Sequence, residues 1–205
     1  MRHAPILLAA LLALPQGATA QSLTPAEAEV VPRILDHLCH ELRDDWIGCE
    51  EITLLADDDA GAADLIIRPN QNADTDAPPI LRRTIAFNGG MFGQRPALVA
   101  GPEGSFRLTS EQTGIGRSPW EMSVSIAWRD GTFVIAGVTY TTWDRFSAQS
   151  FTCDLNLRTG GYEIVANDAR TAGKGRPVRI LLQDWSADSP LPDPCEDDLA
   201  AWWPE

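Results

Sequence analysis

Alternating hydrophobic and polar positions dominate the middle of the chain and predict β-strands. Over residues 120–128, Trp, Met, Val, Ile and Trp alternate with Glu, Ser, Ser and Ala. This is the period of a strand that buries one face. Asp130-Gly131 and a second apolar run, residues 133–141, follow directly. Because Asp-Gly favours the tight turn of a hairpin, we predict a β-hairpin here.

Other short segments have a similar apolar character and are separated by polar or Gly-containing stretches. The predicted strands are residues 51–55, 64–67, 80–87, 104–109, 151–157 and 178–183. The first two flank an acidic turn and form a second candidate hairpin. Such closely spaced strands predict a mainly antiparallel sheet.

Only the segment after residue 23 has a helical pattern. Thr24-Pro25-Ala26-Glu27 has the form of a capping box with proline at the first helical position. Apolar residues then recur at positions 31, 35, 38 and 42, which predicts an amphipathic helix over residues 25–43, kinked or divided at Pro32. We therefore expect an α+β fold in which this N-terminal amphipathic helix packs on a curved antiparallel β-sheet or sandwich.

The first twenty residues have the features of a secretory signal peptide. A basic start, an apolar run over residues 6–14 and the small residues Ala18-x-Ala20 follow one another. We predict cleavage near Ala20 and a soluble periplasmic or secreted product. Residues 21–205 then form a single globular domain, with a β-rich part over residues 50–185 and a tail over residues 186–205.

Charge narrows the range of partners. All 29 acidic residues lie after the predicted cleavage site, whereas Arg2 is removed, which leaves 15 basic residues and a formal charge of −14. This balance argues against nucleic acid and anionic membranes as partners. No run of residues is long and apolar enough to predict membrane insertion.

The four cysteines predict a disulfide-stabilised fold, because an exported chain meets an oxidising compartment. Three pairings are open. Proximity favours Cys39 with Cys49, and elimination then leaves Cys153 with Cys195. A redox or nucleophilic cysteine is the alternative, but the chain has no C-x-x-C motif.

Histidine is scarce, which limits the catalytic and metal sites that the chain can build. His37 and His40 are the only histidines after the predicted cleavage site. On the predicted helix they lie on neighbouring positions, with Glu41 and Asp44 one turn beyond, so they are a candidate zinc site or simply polar surface residues. G-x-S-x-G and H-E-x-x-H are both absent from the sequence.

Aromatic residues offer a candidate binding surface. Flat rings supply a large contact area for a sugar or a peptide at low entropic cost. The candidates for a ligand or partner surface are Trp143, Tyr140, Trp202 and Trp203. Packing in the sheet core, or docking of the tail on the body in the case of the last two, is the alternative interpretation.

Two local patterns resemble known families. GQRP at residues 93–96, IGRSPWE at 115–121, WRDG at 128–131 and CDLNL at 153–157 resemble a group of uncharacterised exported bacterial proteins, over residues 85–161. Asp58, Gly61 and Asp64 resemble the acidic loop of FG-GAP or VCBS repeats, with Ala56 and Ala60 at two ligand positions. That resemblance implies calcium binding by Asp58 and Asp64; the alternative is a solvated acidic turn.

Taken together, these features favour a periplasmic or secreted, non-enzymatic binding or accessory module. Its expected partner is an envelope protein or a glycan, with no cofactor apart from calcium. One alternative is a small cell-envelope hydrolase that acts on glycan or peptide through a carboxylate pair or a histidine. Another is a secreted enzyme inhibitor that presents residues 68–79 or 166–177 as an exposed loop.

Overall fold

The computed structural model describes residues 23–43, 48–57, 61–69, 78–102 and 104–203. Twelve β-strands and two short α-helices make up the described chain. The strands are β1 Ile34–His40, β2 Glu50–Asp57, β3 Ala62–Arg68, β4 Ile80–Phe87, β5 Ala97–Ala100, β6 Ser105–Gln112, β7 Trp120–Arg129, β8 Thr132–Trp143, β9 Ser150–Asn156, β10 Gly161–Ala166, β11 Ala169–Lys174 and β12 Ile180–Leu181. The helices are α1 Pro25–Val30 and α2 Cys195–Trp202.

The strands form two antiparallel sheets. The smaller sheet has the order β1-β2-β3-β4, and the larger has the order β11-β10-β9-β8-β7-β6-β5 with β12 paired to β8. Apolar side chains from both sheets belong to one hydrophobic cluster, which includes Ile52, Leu65, Phe106 and Val124. The mainly antiparallel β architecture is therefore confirmed, and both sheets contribute to one hydrophobic core.

The predicted hairpin around Asp130-Gly131 is confirmed. β7 and β8 pair from Trp120 opposite Thr142 to Arg129 opposite Thr132. Asp130 and Gly131 have φ values of +49° and +79°, as the two central residues of a type I′ turn require. The hairpin over β2 and β3 is present as well.

The long N-terminal helix is not present, and this prediction was wrong. Thr24 caps α1 as the capping box predicts, but the helix ends at Val30 and buries no residue. A 3₁₀ turn over Val31–Arg33 follows and contains Pro32, and the chain then continues as β1. Helical spacing at positions 35 and 38 was misleading because pairing with β2 stabilises an extended chain over this segment.

One predicted loop contains a strand, and one further strand was not predicted. Residues 166–177, one of the two candidate inhibitor loops, contain β11, which pairs with β10 along its whole length. β5 pairs with β6 from Ala97 opposite Thr109 to Ala100 opposite Phe106. β11 has no apolar alternation from which it could be predicted, because it is exposed throughout. β5 is only four residues long.

Both disulfides predicted from proximity are confirmed. One joins Cys39 to Cys49 and the other joins Cys153 to Cys195. The second bridge attaches α2 to β9, and Trp202 then packs on Phe151 with 5.8 Å between the ring centroids. The predicted docking of the C-terminal tail on the sheet therefore occurs.

Strand β8 changes its hydrogen-bonded neighbour along its length. Its second half, from Gly137 to Trp143, pairs with β9, whereas Val134 and Ile135 pair with β12. A register shift between Ser125 and Ile126 of β7 lies opposite the change. The segments that end β9 and precede β12 are joined here by a hydrogen bond from the N–H of Val178 to the carbonyl oxygen of Leu157.

Candidate functional site

The outward face of the larger sheet carries small polar side chains in place of large apolar ones. Directly opposed residues on paired strands project to the same side of a sheet. Thr109 opposes Ser123, Ser123 opposes Thr139, and Thr139 opposes Asp154. We call these four residues the hydroxyl row, after the hydroxyl groups of the first three; the fourth residue, Asp154, carries a carboxylate. At the usual strand spacing it crosses four strands over roughly 14 Å.

Two hydroxyl groups of this row have no hydrogen-bond partner within the described part of the chain. Thr109 donates its hydroxyl to the carbonyl oxygen of Ala97 at 3.2 Å. Ser123 and Thr139 are half-buried, and no protein atom among the described residues pairs with their hydroxyls. Free hydroxyls on a flat sheet are available to exchange water for the polar groups of a ligand.

A cavity on this face has a volume of about 530 Å³. It lies where β8 exchanges β9 for β12. Its floor is largely apolar and includes the buried Ala127 and the half-buried Ala136 and Gly137, while polar side chains and the exposed Val178 complete its lining. We call it the arginine cavity, because its lining includes Arg129, Arg158 and Arg179.

A smaller cavity has a volume of about 450 Å³ and shares Thr139 with the arginine cavity. It contains Arg95 and two glutamates, so we call it the glutamate cavity. Glu111 on β6 lies directly opposite Glu121 on β7. Opposed residues on neighbouring strands have Cβ atoms about 5 Å apart, and both glutamates line this cavity.

An ion pair between a half-exposed arginine and a buried aspartate joins the loop before β7 to the loop after β8. Arg117 donates from both Nε and Nη2 to Oδ2 of Asp144 at 2.6 Å, and Asp144 is fully buried. Oδ1 accepts hydrogen bonds from the backbone N–H groups of Phe146 and Ser147. The hydrogen bond from Arg117 is the main cause that lowers the pKa of Asp144 below its usual value. Since Arg117 binds Asp144, it is not engaged with Glu121 of the glutamate cavity.

The four aromatic residues predicted from the sequence occupy different surroundings. Trp143 continues the alternation of Thr139 and Thr141 along β8, so it lies on the same outward face as the hydroxyl row. Tyr140 lies on the core side, where burial raises its pKa to about 12. Trp202 is half-buried on Phe151, and Trp203 is half-exposed at the end of α2.

The histidines do not form the arrangement that a helix would give them. His37 and His40 lie on β1, and because they are three residues apart on a strand they project to opposite faces. His37 is exposed and His40 is half-buried. Asp44 lies outside the described residues. The two imidazoles therefore do not lie on one helical face, as the candidate zinc site required.

The acidic turn is described only in part. Asp58 lies outside the described residues. Both carboxylate oxygens of Asp64 are already engaged: Oδ1 accepts from the N–H of Thr84 at 2.9 Å, and Oδ2 accepts from Arg83 at 3.1 Å. Within the described ranges, no three His, Cys, Asp or Glu side chains converge on a metal position. Calcium binding here stays a prediction.

Sequence reasoning did not find the hydroxyl row or the two cavities. The signal was present, because the polar positions of the strands hold Ser, Thr, Asp and Asn instead of lysines and glutamates alone. These residues are brought together by the pairing register of four neighbouring strands and by the change of the strand paired with β8 from β9 to β12. Neither can be derived from the period of a single strand.

Comparison with known proteins gives no family for this chain. No protein-family model, curated protein or solved structure matches it. Of the helices that the structure describes, none is both long and apolar enough to cross a bilayer. The two disulfides are consistent with a protein that folds outside the cytoplasm.

Proposed function

We propose that this protein is an exported, non-enzymatic binding module that holds a glycan on the outward face of its larger sheet. The export signal over residues 1–20 and cleavage near Ala20 are part of this proposal. The observation that carries it is the arginine cavity of about 530 Å³, with its apolar floor and polar rim. Ligand sites in proteins commonly combine an apolar lining with a few placed polar groups.

The features beside the cavity suit an extended, hydroxylated ligand. The apolar floor can cover the C–H face of a sugar ring, while Asp154 and Asn156 at the rim can accept or donate hydrogen bonds. The free hydroxyls of Ser123 and Thr139 extend this polar surface towards the glutamate cavity. Trp143 follows four residues beyond Thr139, which is about 13 Å along the strand. An aromatic ring at that distance offers a stacking surface for a further sugar unit.

A second function, hydrolysis of the bound glycan, is favoured by one observation. Glu111 and Glu121 lie opposite one another in the glutamate cavity. Glycosidases that retain configuration place their two carboxyl groups about 5 Å apart. The two functions differ in outcome, because a hydrolase releases new reducing ends and a binding module leaves the glycan intact.

The proposal is tested by removing hydroxyls from the hydroxyl row. We expect Ser123→Ala combined with Thr139→Val to weaken binding by about tenfold or more, since each lost hydrogen bond contributes on the order of 1 kcal/mol. The measurement is affinity electrophoresis of the oxidised mature protein through gels that contain individual soluble polysaccharides. Assay of the recovered polysaccharide for new reducing ends separates binding from hydrolysis.

Thr171→Val is the matched control. Thr171 is an exposed residue of β11 that opposes Ile164, which is buried, so it lies on the other side of the sheet from the hydroxyl row. We expect this variant to migrate like the wild type. Equal retardation of the wild type and the double variant in every gel that retards the wild type would contradict the proposed site.

A further inference from the structure

The arginine cavity carries positive charge in a chain that is strongly acidic. Its lining includes three arginines and two aspartates, Asp130 and Asp154, for a local balance of +1. The full chain has 29 acidic and 16 basic residues. A positively charged site attracts an anionic ligand locally, even though the molecule as a whole is negatively charged.

Two of these arginines lie on neighbouring segments of the backbone. The N–H of Val178 donates to the carbonyl oxygen of Leu157 at 2.9 Å, which joins the two segments that carry Arg158 and Arg179. β12 begins immediately afterwards and is fixed by its pairing with β8. The N–H of Gly175 also donates to the carbonyl oxygen of Gly160, so the two segments run antiparallel. Arg158 and Arg179 are then diagonal neighbours across these segments, within reach of one ligand group at one edge of the cavity.

These two guanidinium groups have no carboxylate partner among the described residues. Some other arginines of the described chain do have such a partner, as in Arg68 with Glu51, Arg83 with Asp64 and Arg170 with Glu163. Arg158 and Arg179 are exposed and make no ion pair or hydrogen bond within the described ranges. Two neighbouring cations repel each other unless an anion lies between them.

The third arginine is held in place by its own strand. Nη1 of Arg129 donates to the carbonyl oxygen of Trp128 at 2.5 Å. The same guanidinium approaches Gly104 so closely that a Cβ atom there would lie 3.1 Å from Nη1. Its other N–H groups are then available on the opposite side of the cavity from the pair.

We infer that the arginine cavity recognises an anionic glycan, with a carboxylate of a uronic acid unit bound by Arg158 and Arg179. This inference rests on the proposed function. Guanidinium groups bind carboxylates through charge-assisted, often bidentate hydrogen bonds, which are stronger than those between neutral groups. Asp130 and Asp154 accept hydrogen bonds from sugar hydroxyls, so the two charge types at the rim have separate roles.

The test compares oligomers of galacturonic, glucuronic and mannuronic acid with their carboxyl-reduced, neutral counterparts. Binding is measured by isothermal titration calorimetry on the oxidised mature protein. We expect the wild type to bind at least one acidic oligomer about tenfold or more tightly than its neutral counterpart, because charge-assisted hydrogen bonds are lost on reduction. R158Q/R179Q should bind both forms with the affinity that the wild type has for the neutral form.

R176Q with K174Q is the matched control. It removes the same amount of charge from the neighbouring segment, and neither residue lines the cavity. We expect this control to keep most of the preference for the acidic oligomer, whereas loss of the preference equal to that of R158Q/R179Q would show a long-range charge effect and overturn the assigned contact. Thermal unfolding of all variants confirms that they are folded.

The remaining outcomes separate the two proposals. Equal binding of the acidic and neutral forms by the wild type would overturn the anionic preference and leave the glycan-binding function standing. Inorganic phosphate that competes as effectively as the acidic oligomer would show a site for free anions instead of a glycan. Absence of binding to both forms in all three pairs would overturn the inference and count against the glycan-binding function itself.

Discussion

Replacing Cys153 and Cys195 together by alanine is expected to lower the free energy of unfolding by about 4 kcal/mol, the chain-entropy value for a loop of this length. The two residues are 42 positions apart in the sequence. Both are fully buried, and the bridge is the covalent link between α2 and β9. Trp202 should leave Phe151 as the tail loses its attachment. Urea unfolding followed by far-ultraviolet circular dichroism and tryptophan fluorescence measures both effects.

The other disulfide supplies the internal comparison. Cys39 and Cys49 are 10 residues apart, so their replacement by alanine should cost about 3 kcal/mol by the same argument. The fluorescence change assigned to Trp202 should be absent in that variant, since its bridge joins β1 to the segment before β2. A smaller loss of stability from the Cys153 and Cys195 variant than from this one would contradict the structural role assigned to the C-terminal tail.

Phe106→Ala is expected to destabilise the protein by about 3–5 kcal/mol, as other buried Phe→Ala replacements do. Phe106 is fully buried and opposes Ile126 on the neighbouring strand. Its ring belongs to the cluster that both sheets share, so its removal leaves a cavity in the centre of the core. The measurement is the midpoint of urea unfolding at constant slope.

Phe146→Ala is the matched control because it removes the same side-chain atoms from the surface. Phe146 is 83% exposed and lies in the loop after β8. A surface substitution of this kind changes stability by about 0.5 kcal/mol or less. Similar losses of stability from the two phenylalanine variants would show that Phe106 does not occupy the shared core.

Local signals in the sequence predicted the local structure well where they agreed with one another. The β7–β8 hairpin combines strict alternation with Asp130-Gly131 at the turn, and the structure contains it. The capping box at Thr24 also predicted the true start of α1. Residues 34–40 are different, because their apolar spacing fits a helix and a strand, and pairing with β2 decides in favour of the strand.

The candidate site was beyond local prediction for a different reason. Ser123 is a polar position of a predicted strand, but its neighbours Thr109 and Thr139 depend on the registers of β6 with β7 and of β7 with β8. Arg158 and Arg179 lie on two segments that backbone hydrogen bonds join, although they are far apart in the sequence. Register and loop contacts depend on the whole fold, and the period of one strand carries no information about them.

Chemical-shift mapping on the ¹⁵N-labelled mature protein tests the glycan-binding face most directly. Titration with the tightest-binding acidic oligosaccharide should shift backbone amide signals on this face and leave α2 unchanged. The signals expected to move most are those of Ser125, Gly137, Thr139, Asn156 and Arg179. Shifts confined to α2 or to the loop of residues 113–119, with this face unchanged, would contradict the account.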